Sequence, residues 1–239
     1  MNVEKKPFDQ VKVRKAVTHA LNRHAYIKAI YLDRAVVAKN PIPPTMWSYD
    51  KKTKEEAYDP ELSKKLLKEA GFPNGFETTL WTLPVSRPYN PAGKKMGEMM
   101  QADLAKVGIK AKIVTYDWGT YLERARQGQH EMMQIGWSGD NGDPDNFLFV
   151  LLSCAAARNG ANYSRWCDKK FDDLVLKAKQ TTDVKTRTRL YQAAQAEFAK
   201  QSPWVTLAHA KVYRAMSQKV SGYQIHPLGV DILTEVDLK

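Results

Sequence analysis

The chain has 239 residues, 43% of them hydrophobic, and a formal net charge of +11. This composition predicts a folded globular protein with a substantial core and excludes a disordered chain, and no apolar run approaches the roughly 20 residues of a membrane-spanning helix. The positive charge favours anionic partners, but lysines and acids interleave in stretches such as 51–71, which is typical of a solvated helix face. No nucleic-acid recognition motif accompanies the charge, so we predict no nucleic-acid partner. The alternative of another class is a basic interaction module for nucleic acid or a partner protein.

The first third of the chain predicts helices around a proline-rich loop. Residues 9–31 are predicted to be helical, with an apolar stripe at a spacing of three to four residues. The stripe consists of Val13, Ala16, Val17, Ala20 and Leu21. The loop PIPPTMW (41–47) follows, and a second helix has Asp59 as its N-cap, Pro60 in its first turn and Gly71 at its end.

Helices and strands alternate in the middle of the chain. Strands are predicted over 76–85, 109–116 and 131–137, and helices lie between them. The first of these helices carries a methionine-rich stripe that is typical of core packing and ends at Gly108, and the second covers 119–127.

The last third predicts further helices and an extended end. The apolar stretch 148–157 is predicted to be a buried helix, and two more helices cover 171–180 and 183–202. Residues 203–216 are predicted to be extended. The alternation of helices and strands predicts an α/β fold.

Two loops follow predicted strands and stand at the carboxyl edge of the predicted sheet, where α/β folds bind ligands. The loop SRPYNP (86–91) follows the first strand, and WSGDNGDPDNF (137–147) follows the third. This placement brings Arg87 close to an aspartate of the second loop. The carboxylate could bind an ammonium group and the guanidinium a carboxylate, while Tyr89 and Trp137 supply walls, which describes a clamp for a zwitterion. The alternative is a plain surface ion pair between Arg87 and an aspartate.

Metal and catalytic motifs do not fit the sequence. The segment QGQHEMMQ resembles a zinc-protease motif, but Gln134 stands where the second histidine belongs. Reading the acidic loop as a calcium site from Asp140 places Gly142, Pro144 and Leu151 at ligand positions. No phosphate-binding loop and no nucleophile turn are present, so we predict no metal site, no cofactor and no enzymatic activity.

The two cysteines, Cys154 and Cys167, leave two interpretations open on their spacing alone. They are either inert buried thiols or a disulfide that closes a short polar loop, and the second interpretation indicates an oxidising compartment.

Segments 8–27, 80–122 and 136–147 resemble the C-terminal part of periplasmic dipeptide-binding proteins, the solute-binding receptors (extracellular solute-binding family 5) of peptide-import ABC transporters. The resemblance extends over essentially the whole chain. It implies a periplasmic-binding-protein type II-like lobe with a mixed sheet flanked by helices, a non-enzymatic role in dipeptide import, a membrane permease as partner and a periplasmic location. Relatives of this fold bind haem or other small solutes, so a haem or small-solute receptor is the alternative within the same architecture.

The resemblance also implies roles for individual residues. Asp140 would bind the peptide α-amino group, Arg87 the peptide carboxylate, and Tyr89 and Trp137 would line the pocket. A disulfide between the two cysteines is a further implication. Asp143 and Asp145 are expected only to shape the turn and to cap a helix that begins near Phe147.

The sequence departs from this family in extent, since the first lobe and a signal peptide have no counterpart in it. We therefore expect residues 1–208 to form the second ligand-binding lobe and residues 209–239 to return towards the missing first lobe. The hypothesis that follows is that the chain is a fragment, or that the first lobe is a separate chain.

Overall fold

The computed structural model describes residues 1–239, which form nine helices and seven short strands. The helices are α1 (Val11–Ala20), α2 (Arg23–Tyr31), α3 (Pro60–Glu69), α4 (Gly93–Ala105), α5 (Trp118–Arg126), α6 (Asp145–Leu152), α7 (Cys154–Asn159), α8 (Lys169–Gln180) and α9 (Val184–Gln201). The strands are β1 (Ala35–Val37), β2 (Glu77–Trp81), β3 (Lys110–Val114), β4 (Met132–Met133), β5 (Ala208–Ala210), β6 (Val220–Ser221) and β7 (Asp237–Leu238). None of the helices has the length and apolar character that a membrane span requires.

The central sheet has the order β3-β2-β4, and both pairings are parallel. All three strands are shorter than the sequence predicted, and β4 has only two residues. The ladder ends because the side chain of Gln134 accepts a hydrogen bond from the backbone of Leu83 at 3.2 Å, which replaces a strand-to-strand bond. Beyond this point β2 and β4 continue into the two loops that were predicted to carry the site.

The first core packs α1, α2, α3 and α4 beneath this sheet. Every member of the predicted apolar stripe of α1 is fully buried, which confirms the stripe. The prediction of continuous helical structure over 9–31 was wrong, because Leu21 adopts an extended conformation (φ −96°, ψ 120°). The side chain of Asn22 then accepts a hydrogen bond from Ala25 N and starts a second helix.

The predicted ends of α3 are confirmed. The Asp59 carboxylate accepts a hydrogen bond from Leu62 N at 2.9 Å, and Pro60 is the first helical residue. Gly71 ends the segment with a φ of +92°, a conformation that favours glycine.

The second core is formed by α6, α8 and α9. The apolar stretch 148–157 was predicted to be one helix, but Ser153 divides it into two. The Ser153 backbone is extended, and its side chain caps α7 by accepting a hydrogen bond from Ala156 N at 3.1 Å.

The last part of the chain leaves the body of the protein after β5. Strand β5 pairs antiparallel with β1, so the extended segment predicted over 203–216 contains only three strand residues. The expected division at residues 208 and 209 falls within this strand. The following residues are mostly exposed and contain the β6–β7 pair, and their proposed role towards another lobe stays a prediction.

Candidate functional site

A cavity of about 1030 Å³ opens at the carboxyl ends of β2 and β4. Its walls include all four residues predicted from the sequence, namely Arg87, Tyr89, Trp137 and Asp140. The shared sheet edge therefore brings the two predicted loops to one place, as the strand order requires for neighbouring parallel strands.

Arg87 is held by a tight turn. Its backbone N–H donates to Asn90 O at 3.0 Å, and Asn90 N donates back to Arg87 O at 2.9 Å. Pro88 occupies the second position of this turn, where its fixed φ is favourable. The Asn90 side chain is buried and accepts a hydrogen bond from Ala92 N at 3.2 Å, which anchors the turn to the start of α4.

The Arg87 guanidinium lies on the ring of Trp118, with its central carbon 4.2 Å from the ring centroid. Its Nε is buried and has no hydrogen-bond partner. The alternative of an ion pair between Arg87 and the acidic loop is wrong for this structure, in which the arginines that form ion pairs are Arg23, Arg187 and Arg214. The guanidinium therefore keeps its full charge available to an anion.

Sequence reasoning did not identify Trp118 as part of the site. It is the first residue of α5, and the Asp117 side chain caps this helix by accepting a hydrogen bond from Thr120 N at 3.0 Å. The Asp-Trp-Gly-Thr pattern after β3 is a helix start that could have placed the indole at the same sheet edge.

Tyr89 packs directly on the backbone of Gly136. A Cβ atom at Gly136 would come within 2.3 Å of the Tyr89 ring, so only glycine fits there. Tyr31 fixes the other side by donating its hydroxyl hydrogen to Tyr89 O at 2.8 Å. Burial raises the pKa of the Tyr89 phenol, so the ring is a neutral wall at physiological pH.

Trp137 and Asp140 are joined through Asn146, which sequence reasoning missed. The Asn146 Oδ1 accepts hydrogen bonds from the Trp137 indole at 2.7 Å and from Asp140 N at 3.1 Å. The Asn146 Nδ2 donates to the Asp140 carboxylate at 3.0 Å. Asn146 is 9% exposed and lies in the first turn of α6, so the helix fixes both site residues.

The other two aspartates of the loop bind cations of distant helices. Asp143 accepts two hydrogen bonds from Arg187 of α9 at 2.9 and 3.0 Å, and Asp145 pairs with Lys179 of α8 at 3.6 Å. Burial raises the pKa of the Asp145 carboxyl, while the Lys179 ammonium acts in the opposite direction. Asp140 makes no ion pair, so it is the carboxylate of this loop whose charge has no cationic partner.

The expected turn role of these two aspartates is supported, but their expected role as helix caps is not. Asp143 accepts a hydrogen bond from Asp145 N at 2.9 Å, which is a turn contact. The helix begins at Asp145, two residues before Phe147, and its N-cap is Pro144, so no side chain caps it. The Pro144 backbone is itself helical (φ −56°, ψ −25°), and the fixed φ of proline favours this conformation at the start of a helix.

The two cysteines form the disulfide that the resemblance implied, with Cα atoms 4.5 Å apart. The bridge joins the start of α7 to the segment before α8 and closes a loop over a sequence separation of 13. Tyr163 and two arginines of this loop line the cavity.

Two histidines also line the cavity, but neither is part of a metal cluster. Burial lowers the pKa of His130 and of His209 to about 4, so both imidazoles are neutral at physiological pH. His130 Nε2 lies 2.7 Å from Tyr163 O, whereas His209 Nε2 has no hydrogen-bond partner. No group of three or more acidic, histidine or cysteine side chains is placed to hold a metal ion.

Curated proteins of similar sequence are solute-binding proteins. The chain is 53% identical over 228 residues to a dipeptide-binding protein of Escherichia coli K12, covering 95% of this chain and 43% of the relative. It is 46% identical to a heme-binding protein A of Haemophilus influenzae, covering 96% of this chain and 42% of the relative. The chain thus spans less than half the length of these curated relatives.

Solved structures confirm the fold class. HbpA2 from Haemophilus parasuis matches with a TM-score of 0.93 at 42% identity, covering 100% of this chain and 47% of the other. A dipeptide-binding protein from Pseudoalteromonas sp. SM9913 in complex with Met-Leu matches with a TM-score of 0.91 at 40% identity, covering 100% and 47%. The fold is that of a periplasmic-binding-protein type II lobe.

The family model for the middle region of bacterial extracellular solute-binding proteins, family 5, matches residues 1–159, which is more than half of the chain. The relatives, the shared fold and this match agree with the resemblance seen in the two site loops. The chain belongs to the bacterial extracellular solute-binding proteins of family 5.

Proposed function

We propose that this chain forms the ligand-binding lobe of a receptor for dipeptides and other short peptides. The observation that carries the proposal is that Arg87 and Asp140 line the same cavity and that neither forms an ion pair with another residue. A zwitterionic peptide offers the complementary charges. Its carboxylate matches the guanidinium fork of Arg87, and its ammonium group matches the Asp140 carboxylate.

The neighbouring side chains support both ends of such a ligand. Trp118 backs the Arg87 guanidinium, and Asn146 orients the Asp140 carboxylate by hydrogen bonding. Tyr89 and Trp137 present ring surfaces that accept different ligand side chains. These contacts support binding and release of an unmodified ligand, which is the role of a receptor rather than an enzyme.

The wider role that we propose follows the relatives. A neighbour of known structure is described as an ABC transporter-associated periplasmic binding protein from Helicobacter pylori in complex with the peptide STSA. By analogy, this lobe acts in the periplasm, closes with a second lobe over the peptide and delivers it to an ABC transporter permease. Residues 209–239 are proposed to contact that second lobe.

Three related ligands test the site in this chain by two-dimensional NMR. Ala-Ala is compared with N-acetyl-Ala-Ala, which lacks the ammonium group, and with Ala-Ala amide, which lacks the carboxylate. We expect Ala-Ala to perturb the Arg87 and Trp137 side-chain signals with a dissociation constant of about 1 mM or weaker, because one lobe alone does not exclude water. Micromolar binding in calorimetry would contradict the half-site interpretation.

Isosteric variants separate the two ends of the ligand. Asp140→Asn should remove the preference for Ala-Ala over its acetylated form, and Arg87→Gln should remove the preference over the amide. The control is Asp173→Asn on the surface of α8, whose side chain pairs with Lys169 away from the cavity. Equal binding of all three peptides by the unaltered chain would refute the proposed roles.

Haem is the second candidate ligand. The relative from Haemophilus influenzae carries the name heme-binding protein A, and His209 of this chain presents a neutral imidazole with an unpartnered Nε2 at the cavity. A haem titration followed by absorbance tests it, with His209→Ala as the variant. An unchanged haem spectrum on addition of the protein excludes this candidate.

A further inference from the structure

The lining of the cavity carries an excess of positive charge. Four arginines line the cavity, and Asp140 is the single carboxylate among the lining residues. The arginines are Arg87, Arg126, Arg158 and Arg165. None of the four forms an ion pair, whereas Arg23, Arg187 and Arg214 elsewhere in the protein do.

Three of these arginines form a separate group, which we call the cationic wall: Arg126, Arg158 and Arg165. The guanidinium of Arg165 donates to Ala157 O of α7 at 2.8 Å and to Arg126 O at the end of α5. Arg158 directly follows Ala157. One guanidinium thus ties together the two helices that carry the other two arginines.

The cationic wall is built on a rigid support. Arg158 and Arg165 both lie in the loop closed by the Cys154–Cys167 disulfide. Within that loop the Asn162 side chain, which is 1% exposed, donates to Ser153 O at 3.2 Å and to Trp166 O at 2.8 Å. The arginines are therefore held at the cavity by a bridged and internally bonded loop.

Helix α5 sets the separation between the cationic wall and Arg87. Trp118, Leu122 and Arg126 are four residues apart and all line the cavity, so one face of α5 runs along it. Trp118 carries the Arg87 guanidinium, and Arg126 is eight residues further, which is about 12 Å along the helix axis. The helix positions that carry the two groups are thus about 12 Å apart along α5, a spacing that long arginine side chains and one short peptide can bridge.

We propose that the cationic wall binds a second carboxylate of the ligand, so that the site prefers peptides with an acidic side chain. This inference rests on the proposed function for its ligand class. Three guanidinium groups without carboxylate partners would attract such a side chain, while Arg87 retains the terminal carboxylate and Asp140 the ammonium group. The selectivity is electrostatic and should decline as salt is added.

Matched peptides test the preference. Glu-Ala is compared with Gln-Ala, and Ala-Glu with Ala-Gln, so that each pair differs only in the charge of one side chain. At low ionic strength we expect at least one acidic peptide to bind about three- to tenfold more tightly than its neutral partner. Equal affinities within both pairs would overturn the inference and leave the proposed function standing.

Variants locate the effect. Arg126→Gln together with Arg158→Gln should reduce the acidic preference to near unity, and neutral peptides should keep their affinity. Arg124→Gln is the matched control, since this residue lies on the same helix, stacks on Tyr116 and does not line the cavity. A preference that survives the double variant, or that falls equally in the control, would overturn the inference. Arg165 is left intact because it holds the loop.

A probe without an ammonium group makes the test independent of peptide binding. Glutarate, a simple dicarboxylate, is titrated while the arginine Nε–H signals are followed by NMR. Saturable shifts of the cationic-wall signals that exceed the shift of Arg124 support the inference. Shifts no larger than that of Arg124 refute the inference. This result can be read even if none of the four peptides binds, an outcome that would count against the proposed function instead.

Discussion

Replacing Asn146 by leucine removes the side chain that joins Trp137 to Asp140. The substitution keeps a similar volume but deletes three hydrogen bonds of 2.7, 3.1 and 3.0 Å. Two of these bonds join neutral groups and contribute about 1 kcal/mol each, and the bond to the carboxylate contributes about 1.5 to 3 kcal/mol. Trp137 and Asp140 are both exposed, so water can replace some of the lost hydrogen bonds. We therefore expect the free energy of unfolding to fall by about 2 kcal/mol.

Three measurements check the role of Asn146. Urea unfolding gives the loss of stability, and the indole N–H signal of Trp137 reports whether the ring still donates to an oxygen. In Asn146→Leu the indole signal should shift and its hydrogen exchange should become faster. Binding of Ala-Ala should weaken because the Asp140 carboxylate loses its orientation.

Asn146→Asp is the control variant, because it retains an oxygen for the Trp137 indole and for Asp140 N. It loses the donor to the Asp140 carboxylate and places a second negative charge beside it. The indole signal should therefore stay near its original position, whereas stability should still fall. A leucine variant with unchanged stability, indole signal and peptide binding would refute the role assigned to Asn146.

Three further predictions concern the surroundings of the site. Arg187→Gln should lower the free energy of unfolding by about 1 kcal/mol in thermal denaturation, because Asp143 loses a partly exposed ion pair. Unchanged stability in this variant would show that the ion pair does not stabilise the loop. Cys154→Ser should lower it by about 3 kcal/mol, since the disulfide closes a short loop in the unfolded chain, and an equally stable reduced protein would contradict this. For His130 the folded-state pKa of about 4 lies below the ordinary value of 6.5, so the unfolded chain binds more protons between these values. Stability is then fully present above about pH 6.5 and declines as the pH falls towards 4, and unfolding measured across this window in the protein and in His130→Gln should show a weaker decline in the variant.

The helices and their ends were accessible from the sequence because the signals are local. Asp59, Pro60 and Gly71 act within one helix, and the structure has them in the predicted roles. The predicted continuity of two other helical segments failed where a short polar residue competed for the backbone. Asn22 and Ser153 each start a new helix by capping it, inside stretches whose apolar pattern favours one helix.

The lengths of the strands could not be predicted from local sequence signals. Residues 76–85 and 131–137 contain good strand formers, but hydrogen bonding between them ends within a few residues of their pairing. At Leu83 the backbone N–H donates to the side chain of Gln134 instead of to a neighbouring strand. This contact joins two residues that are 51 positions apart in the sequence. No local preference in either segment encodes that contact.

The sequence by itself determined the class of the fold, the pairing of the two loops at one sheet edge and four residues of the candidate site. It did so because both loops directly follow predicted strands and therefore lie at the carboxyl edge of one sheet, and because both loops resemble those of a known family. Only the tertiary structure decided which aspartate of the loop has a free charge. Asp143 is bound by Arg187 at a separation of 44 residues and Asp145 by Lys179, and these helices approach the loop only when the second core packs. Asp140 is left to Asn146, whose neutral amide orients the carboxylate without cancelling its charge.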